Sequence, residues 1–245
     1  MAGYTAGETT TIPIIRTKLQ GPPIVGDHVH RSHLLERLDQ RGQRPLTLVT
    51  APAGYGKSTL ASCWLEACGL PSAWLSLDEA DNDLHIFISY LLAAVQTVSP
   101  GAGKEIQSIL NAPQLPPLPV LSGNLINELD KIDQAFILTL DDYHVIQNKA
   151  IHDLLTEILK HPPRAMHLVV ASRVDPPLPL TSLRARGEMT EIRGQDLRFS
   201  LEETAEYLQK MLGKTVEDGI VALLGKKNRR LDNRSAFGCA IHSPT

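Results

Sequence analysis

A lysine, a serine, a threonine and two glycines stand together in Ala51-Pro52-Ala53-Gly54-Tyr55-Gly56-Lys57-Ser58-Thr59. The run directly follows the apolar stretch Leu46 to Thr50 and directly precedes a helix-like stretch reaching about Cys68. This is the spacing of a phosphate-binding loop, in the strand-loop-helix context the motif requires. Its glycines let the backbone curl until successive N–H groups point inward at a triphosphate, and the following helix adds its positive end. Lys57 would reach the β- and γ-phosphates, the Ser58 hydroxyl would ligate Mg²⁺, and Thr59 would donate to a neighbouring phosphate oxygen. Ala51 stands where the pattern carries its first glycine, a place open to a small residue when its φ is negative. The competing reading is a Gly/Pro turn with a solvated lysine, and it leaves the flanking strand and helix unexplained.

A metal at Ser58 needs another oxygen ligand, and the apolar run Phe136 to Leu140 ends in Asp141-Asp142. Asp141 would hold Mg²⁺, and Asp142 would polarise the attacking water as general base. Alone, two acids after an apolar strand read as an ordinary solvated turn; beside a phosphate loop they read as the other half of its site. A third run, Leu168-Val169-Val170-Ala171-Ser172, ends in Arg173. At the C-terminal end of a parallel strand Arg173 could sense or stabilise the γ-phosphate, although surface arginines are common. Arg184 and Arg186 read as a solvated helix end. The residues therefore imply a nucleoside triphosphate with Mg²⁺: Lys57, Asp142 and Arg173 for catalysis, Ser58 and Asp141 for the metal, and Ala51 to Thr59 for the phosphates.

These groups need a scaffold that brings three strand ends together. Strand-like runs occur at about Leu46 to Thr50, Ala73 to Leu77, Ala135 to Leu140, His167 to Ala171 and Met189 to Arg193, with helical stretches between them. Several are continuously apolar, as in a parallel sheet covered on both faces, so the expected class is α/β, a three-layer fold with a mainly parallel central sheet. A helix is expected from Ser32, placed as its N-cap, to Leu38. The prolines of Asn111 to Pro119 mark a surface connection, and Pro176, Pro177 and Pro179 mark another. Ser200 with Glu203 forms a capping box opening a further helix. The expected organisation is a loose arm over 1–22, a nucleotide-binding core over 23–199, the start of a small helical subdomain over 200–226, and an aberrant tail over 227–245.

Composition narrows the partners. With 42% hydrophobic and 21% charged residues, the 245-residue chain reads as globular rather than disordered. Its net charge of −3 lacks the positive field that holds a protein on nucleic acid, so a DNA-binding element would lie elsewhere. Three cysteines and no apolar leader make the cytosol the default location, and no apolar run is long enough for a bilayer.

The motifs resemble the NTPase region of the large ATP-dependent LuxR-type transcription regulators, the MalT-like members of the STAND class. The likeness runs from about Ile15 to Leu224. It rests on the phosphate loop, on Ala73-Trp74-Leu75-Ser76-Leu77-Asp78 followed by Asp81-Asn82-Asp83, and on Leu140-Asp141-Asp142-Tyr143-His144. It rests also on Ala171 to Leu180, Leu183 to Gly187, and Asp196-Leu197-Arg198-Phe199-Ser200. The resemblance implies an ATP/ADP switch that self-associates when it holds ATP and an inducer, and binds promoters through a helix-turn-helix absent from this sequence. It implies that the segment Val29-His30-Arg31 lies near the adenine, with His30 where the related pattern has glycine, and that Arg173 senses the γ-phosphate. After Leu224 the family continues with Thr-Glu-Gly-Trp, whereas this chain gives Lys226-Lys227-Asn228-Arg229-Arg230. Residues from about Lys227 onward can be written in codons that restore the family sequence when shifted by one nucleotide, so a frameshifted tail is expected.

Other features carry less. His28, His30 and His33 cluster without a cysteine or carboxylate at metal spacing, and Cys63, Cys68, Trp64, Phe87 and Tyr90 read as packing. His144 could sense nucleotide state, with a structural role as the plainer reading. Two rival functions stay open: a turnover enzyme such as a small-molecule kinase, and an inert truncated remnant.

Overall fold

The computed structural model describes residues 13–24, 29–40, 42 and 44–212. Five strands, β1 (Leu46–Thr50), β2 (Ser72–Ser76), β3 (Phe136–Asp141), β4 (Met166–Ser172) and β5 (Met189–Arg193), form one sheet in the order β2-β3-β4-β1-β5. Every pairing is parallel, so all five C-terminal ends emerge along one edge. The two central partners β4 and β3 are buried along their whole length, which explains why their sequences show no polar alternation.

Helices cover both faces. On one side α1 (Ser32–Asp39) and α2 (Lys57–Cys68) pack Leu34, Leu38, Leu60 and Trp64 against Val49, Ile137, Val169 and Ile192. On the other, α3 (Leu84–Val98), α4 (Lys104–Leu110), α5 (Leu118–Asp130), α6 (Lys149–Lys160) and α7 (Leu180–Arg186) enclose a larger core around Leu48, Leu75, Leu138 and Val170. The result is the expected three-layer α/β architecture. Among the described residues no helix is long and apolar enough to cross a membrane.

Three local expectations are corrected. Ser32 is the first residue of α1 rather than its cap; Arg31 holds the cap position and makes no side-chain cap bond. The proline-rich connection ends before Leu118, because Pro119 falls in the first turn of α5, where a missing N–H costs nothing. Residues 13–22, expected as part of a loose arm, are packed in place. A short 3-10 turn, Arg16–Leu19, sits beside β2, with Ile14 and Leu19 against the larger core. Lys18 donates to both carboxylate oxygens of fully buried Asp81, at 2.7 and 2.6 Å, and lies 4.3 Å from the Tyr90 ring centre. Gly21 passes so close to Trp74 and Ser62 that a Cβ would lie 2.9 Å from the Ser62 hydroxyl oxygen.

The final described helix, α8 (Leu201–Leu212), opens on the expected capping box: Ser200 N–H donates to Glu203 at 2.8 Å and Glu203 N–H to the Ser200 hydroxyl at 3.1 Å. Residues 213–226 of the expected subdomain, the stretch 227–245 expected to be a frameshifted tail, residues 1–12 and His28 lie outside the described residues.

Candidate functional site

Strand β1 runs straight into the phosphate loop. Ala51 is buried and its N–H donates to the Ser172 carbonyl at 3.2 Å, so the loop is anchored on the end of β4 before it turns. Its φ is not positive, which is why alanine serves in place of glycine. Gly54 (φ 78°) and Gly56 (φ 75°) do adopt the left-handed conformation, and Gly56 caps α2. The turn therefore delivers Lys57 and Ser58 in the first turn of α2 at the sheet edge, with Thr59 exposed beside them.

Lys57 is only 6% exposed, and its ammonium donates to the Pro52 carbonyl at 3.1 Å. Burial holds its pKa below the usual lysine value, against the pull of Asp142 and Asp141, while the Arg173 charge pushes with burial. Asp141, the last residue of β3, points to the same face of the sheet as Ile137, toward α2. Burial pushes its carboxyl above the ordinary carboxylate range; a hydrogen bond with the Ser58 side chain opposes that rise, the Asp142 charge adds to it, and Lys57 opposes it. Sequence reasoning could not place these groups in register. The pairings Leu140↔Val170 and Leu48↔Val170 do so, bringing the ends of β3, β4 and β1 level across a span of two strand spacings, about 10 Å.

Asp142 follows in the left-handed region (φ 55°, ψ 33°), the one non-glycine with positive φ among the described residues. That backbone turns its side chain, 46% exposed, off the strand direction. Such conformations cost about 1 kcal/mol or more for a residue with a Cβ and gather at functional sites. The N–H of Asp142 donates to Asp141 Oδ1 at 2.9 Å, which ties the two acids to each other. Arg173 is exposed just past β4, near enough for its charge to act on both Lys57 and His144. The structure thus brings together Lys57, Ser58, Asp141, Asp142 and Arg173 at one edge.

Arg31 and Gly194 have surroundings that their own sequence neighbourhoods do not announce. The Arg31 guanidinium is engaged within the chain: it donates to both Glu203 oxygens at 3.1 Å and to the carbonyls of Leu197 and Arg198 at 2.8 Å, over the Phe199 ring. Val29, in the same segment, is buried. Gly194 went unread in the sequence, yet it walls the loop: a Cβ there would lie 3.6 Å from Ala51 and Pro52 and 3.8 Å from Tyr55. Arg184 pairs with Glu191 at 2.7 Å and Arg186 with Glu188 at 2.7 Å, away from the site as expected.

The all-parallel order, the loop between β1 and α2, and acids at the end of a strand one removed from it define a P-loop NTPase domain. No protein-family model matches the chain. A curated relative, the HTH-type transcriptional regulator MalT of Yersinia enterocolitica, is 36% identical over 206 residues, covering 84% of this chain and 23% of the regulator. Over that region the chain is similar to this regulator, in keeping with the NTPase domain of the MalT-like regulators. Among solved structures, a STAND protein with a tetratricopeptide repeat sensor from Pyrococcus horikoshii superposes with a TM-score of 0.52 at 16% identity, over 84% of this chain and 28% of that one. Cdc6p from Pyrobaculum aerophilum gives 0.52 at 14% identity, over 86% and 58%. The chain spans about a quarter of the length of the curated regulator it matches.

Proposed function

We propose that this chain is the ATP/ADP-binding switch domain of a LuxR-type, MalT-like transcriptional regulator, hydrolysing ATP slowly with Mg²⁺. The observation that carries the reading is the meeting of Ser58 from α2 with Asp141 from β3, inside a ring of Lys57, Asp142 and Arg173. A hydroxyl beside a buried carboxylate suits a small hard cation, and the raised pKa of Asp141 records a carboxylate whose surroundings hold too little positive charge. Ser58 and Asp141 would hold Mg²⁺, which when bound neutralises charge on the phosphates. The loop amides and Lys57 orient the triphosphate. Asp142 takes a proton from the water whose oxygen bonds to the γ-phosphorus as the β–γ bridging bond breaks, and Arg173 meets the charge that builds on the γ-oxygens.

Slow turnover suits a switch, in which the presence of the γ-phosphate rather than product flux carries the signal. Cytoplasmic location, self-association in the ATP state, and DNA contact through another part of a longer regulator belong to the same proposal. Asp142→Asn is the discriminating variant. It is expected to bind ATP within about twofold of wild type while hydrolysis falls about a hundredfold, read by titration and by single-turnover phosphate release. Equal turnover would remove Asp142 from its role, and rapid phosphate transfer to an added acceptor would favour a kinase. A folded chain that binds no nucleotide would end the reading.

A further inference from the structure

Among the described residues, the buried side-chain atoms without a hydrogen-bond partner include Thr50 Oγ1 at the end of β1, Thr139 Oγ1 on β3, and one imidazole nitrogen beside the acidic pair. His144 Nδ1 is sealed from solvent and has no hydrogen-bond partner, although Asp142 Oδ1 lies 3.7 Å away. The whole side chain is 17% exposed, so the orphaned nitrogen is shut in by its neighbours rather than turned to water. Leaving a buried nitrogen unbonded costs about 1–3 kcal/mol, a cost that persists where the group works in another state of the site.

The backbone under His144 is fixed from three directions. The preceding residue, Tyr143, is buried and its hydroxyl bonds His152 Nδ1 on α6 at 2.7 Å. The following residue, Val145, gives its carbonyl to the Asn82 side-chain amide at 2.9 Å. Asn82 also accepts from the N–H of Gln147 at 2.6 Å and of Asn148 at 3.2 Å, and its carbonyl accepts from the Asn148 amide at 2.7 Å. These bonds hold the short turn Tyr143–Val145 to the segment between β2 and α3. The backbone of His144 is therefore held in place, and Asp142 across from it, 46% exposed, has room for another staggered χ1.

We infer that His144 is a positioning residue for Asp142: its Nδ1–H takes one carboxylate oxygen of Asp142 and leaves the other facing the attacking water. The inference rests on the switch reading above. A rotation of Asp142 that shortens 3.7 Å to hydrogen-bond length satisfies the orphaned nitrogen and fixes the carboxylate at once. The electrostatic surroundings agree, because burial pushes the imidazole below its ordinary value and Arg173 and Lys57 push the same way, against Asp142. A neutral ring keeps one N–H for the carboxylate without neutralising its charge, so the basicity needed for proton abstraction is retained.

The test uses the full chain, with ATP titration and single-turnover hydrolysis measured side by side. His144→Ala is expected to lower the hydrolysis rate about tenfold or more with ATP affinity unchanged within about twofold. His144→Asn places an amide N–H near the Nδ1 position and is expected to restore at least half of the lost rate. Wild-type turnover in His144→Ala overturns the inference alone, as does equal impairment in the Ala and Asn variants, or an affinity loss that matches the rate loss. A wild-type chain that binds ATP without hydrolysing it, or binds none, overturns the inference together with the reading beneath it.

Discussion

Lys18 and Lys57 are both lysines drawn out of solvent, and the protein treats them in opposite ways. Lys18 is met by two carboxylates, Asp81 at 2.6 Å and Asp78 at 3.1 Å. Burial lowers its pKa, but the hydrogen bonds and charges of Asp81 and Asp78 prevail, and the net shift is upward. Lys57 is met by one carbonyl, with Asp141 and Asp142 acting only at a distance, and its shift is downward. A charge closed by its own chain ties the segment before β1 to the segment after β2. A charge left short of counter-ions stores an affinity for an anion that comes from outside.

Breaking each lysine separates these roles. Lys57→Ala removes a desolvated ammonium that no carboxylate neutralises, so ATP affinity is expected to fall about a thousandfold, about 4 kcal/mol, by calorimetric titration. The Tm measured without nucleotide should hold or rise. Lys18→Met does the reverse: it strands Asp81, which is 0% exposed, and is expected to cost about 3 kcal/mol in urea unfolding while the folded fraction keeps its ATP affinity. A loss of nucleotide affinity in Lys18→Met without a loss of stability would erase the contrast.

A smaller effect sharpens it at the carboxylate side. Asp141 carries a folded-state pKa above its unfolded value, so the folded chain binds the proton more tightly and stability declines as pH rises from about 4 through the raised value. Asp141→Asn lacks that decline. Without nucleotide it is expected to be more stable than wild type by about 1 kcal/mol at pH 7 and to match it near pH 4, compared by urea unfolding at the two pH values. Mg²⁺-dependent tightening of ATP binding should disappear in the same variant. An Asn variant no more stable than wild type at pH 7 would mean that the buried carboxylate is already compensated.

The sequence made the phosphate loop and the acidic pair readable because each combines a local backbone demand with an apolar strand: Gly54 and Gly56 for positive φ, Asp141 as the polar end of a buried run. The central strands β3 and β4 were readable for a related reason, since a covered parallel sheet leaves nearly continuous apolar runs. What escaped depended on distance along the chain. The packing of residues 13–22 rests on Lys18 reaching Asp81 sixty-three residues later, and no local pattern in a Pro- and Thr-rich stretch announces that. The partners of Arg31, 166 to 172 residues away, likewise leave no trace in its own neighbourhood. Asp142 and His144 were visible as residue types, but the left-handed turn that sets them face to face is a property of coordinates.

The Arg31–Glu203 pair has one more consequence. Glu203 caps α8 through Ser200 and binds Arg31 at the head of α1 with the same carboxylate, so one side chain joins the start of α8 to α1, with the Phe199–Tyr207 ring contact one turn further on. The nine residues beyond Glu203 extend about 14 Å at 1.5 Å per residue, so a tilt of about 10° at that carboxylate would move Leu212 by about 2 Å. A displacement too small to disturb the sheet is thereby amplified at the helix tip.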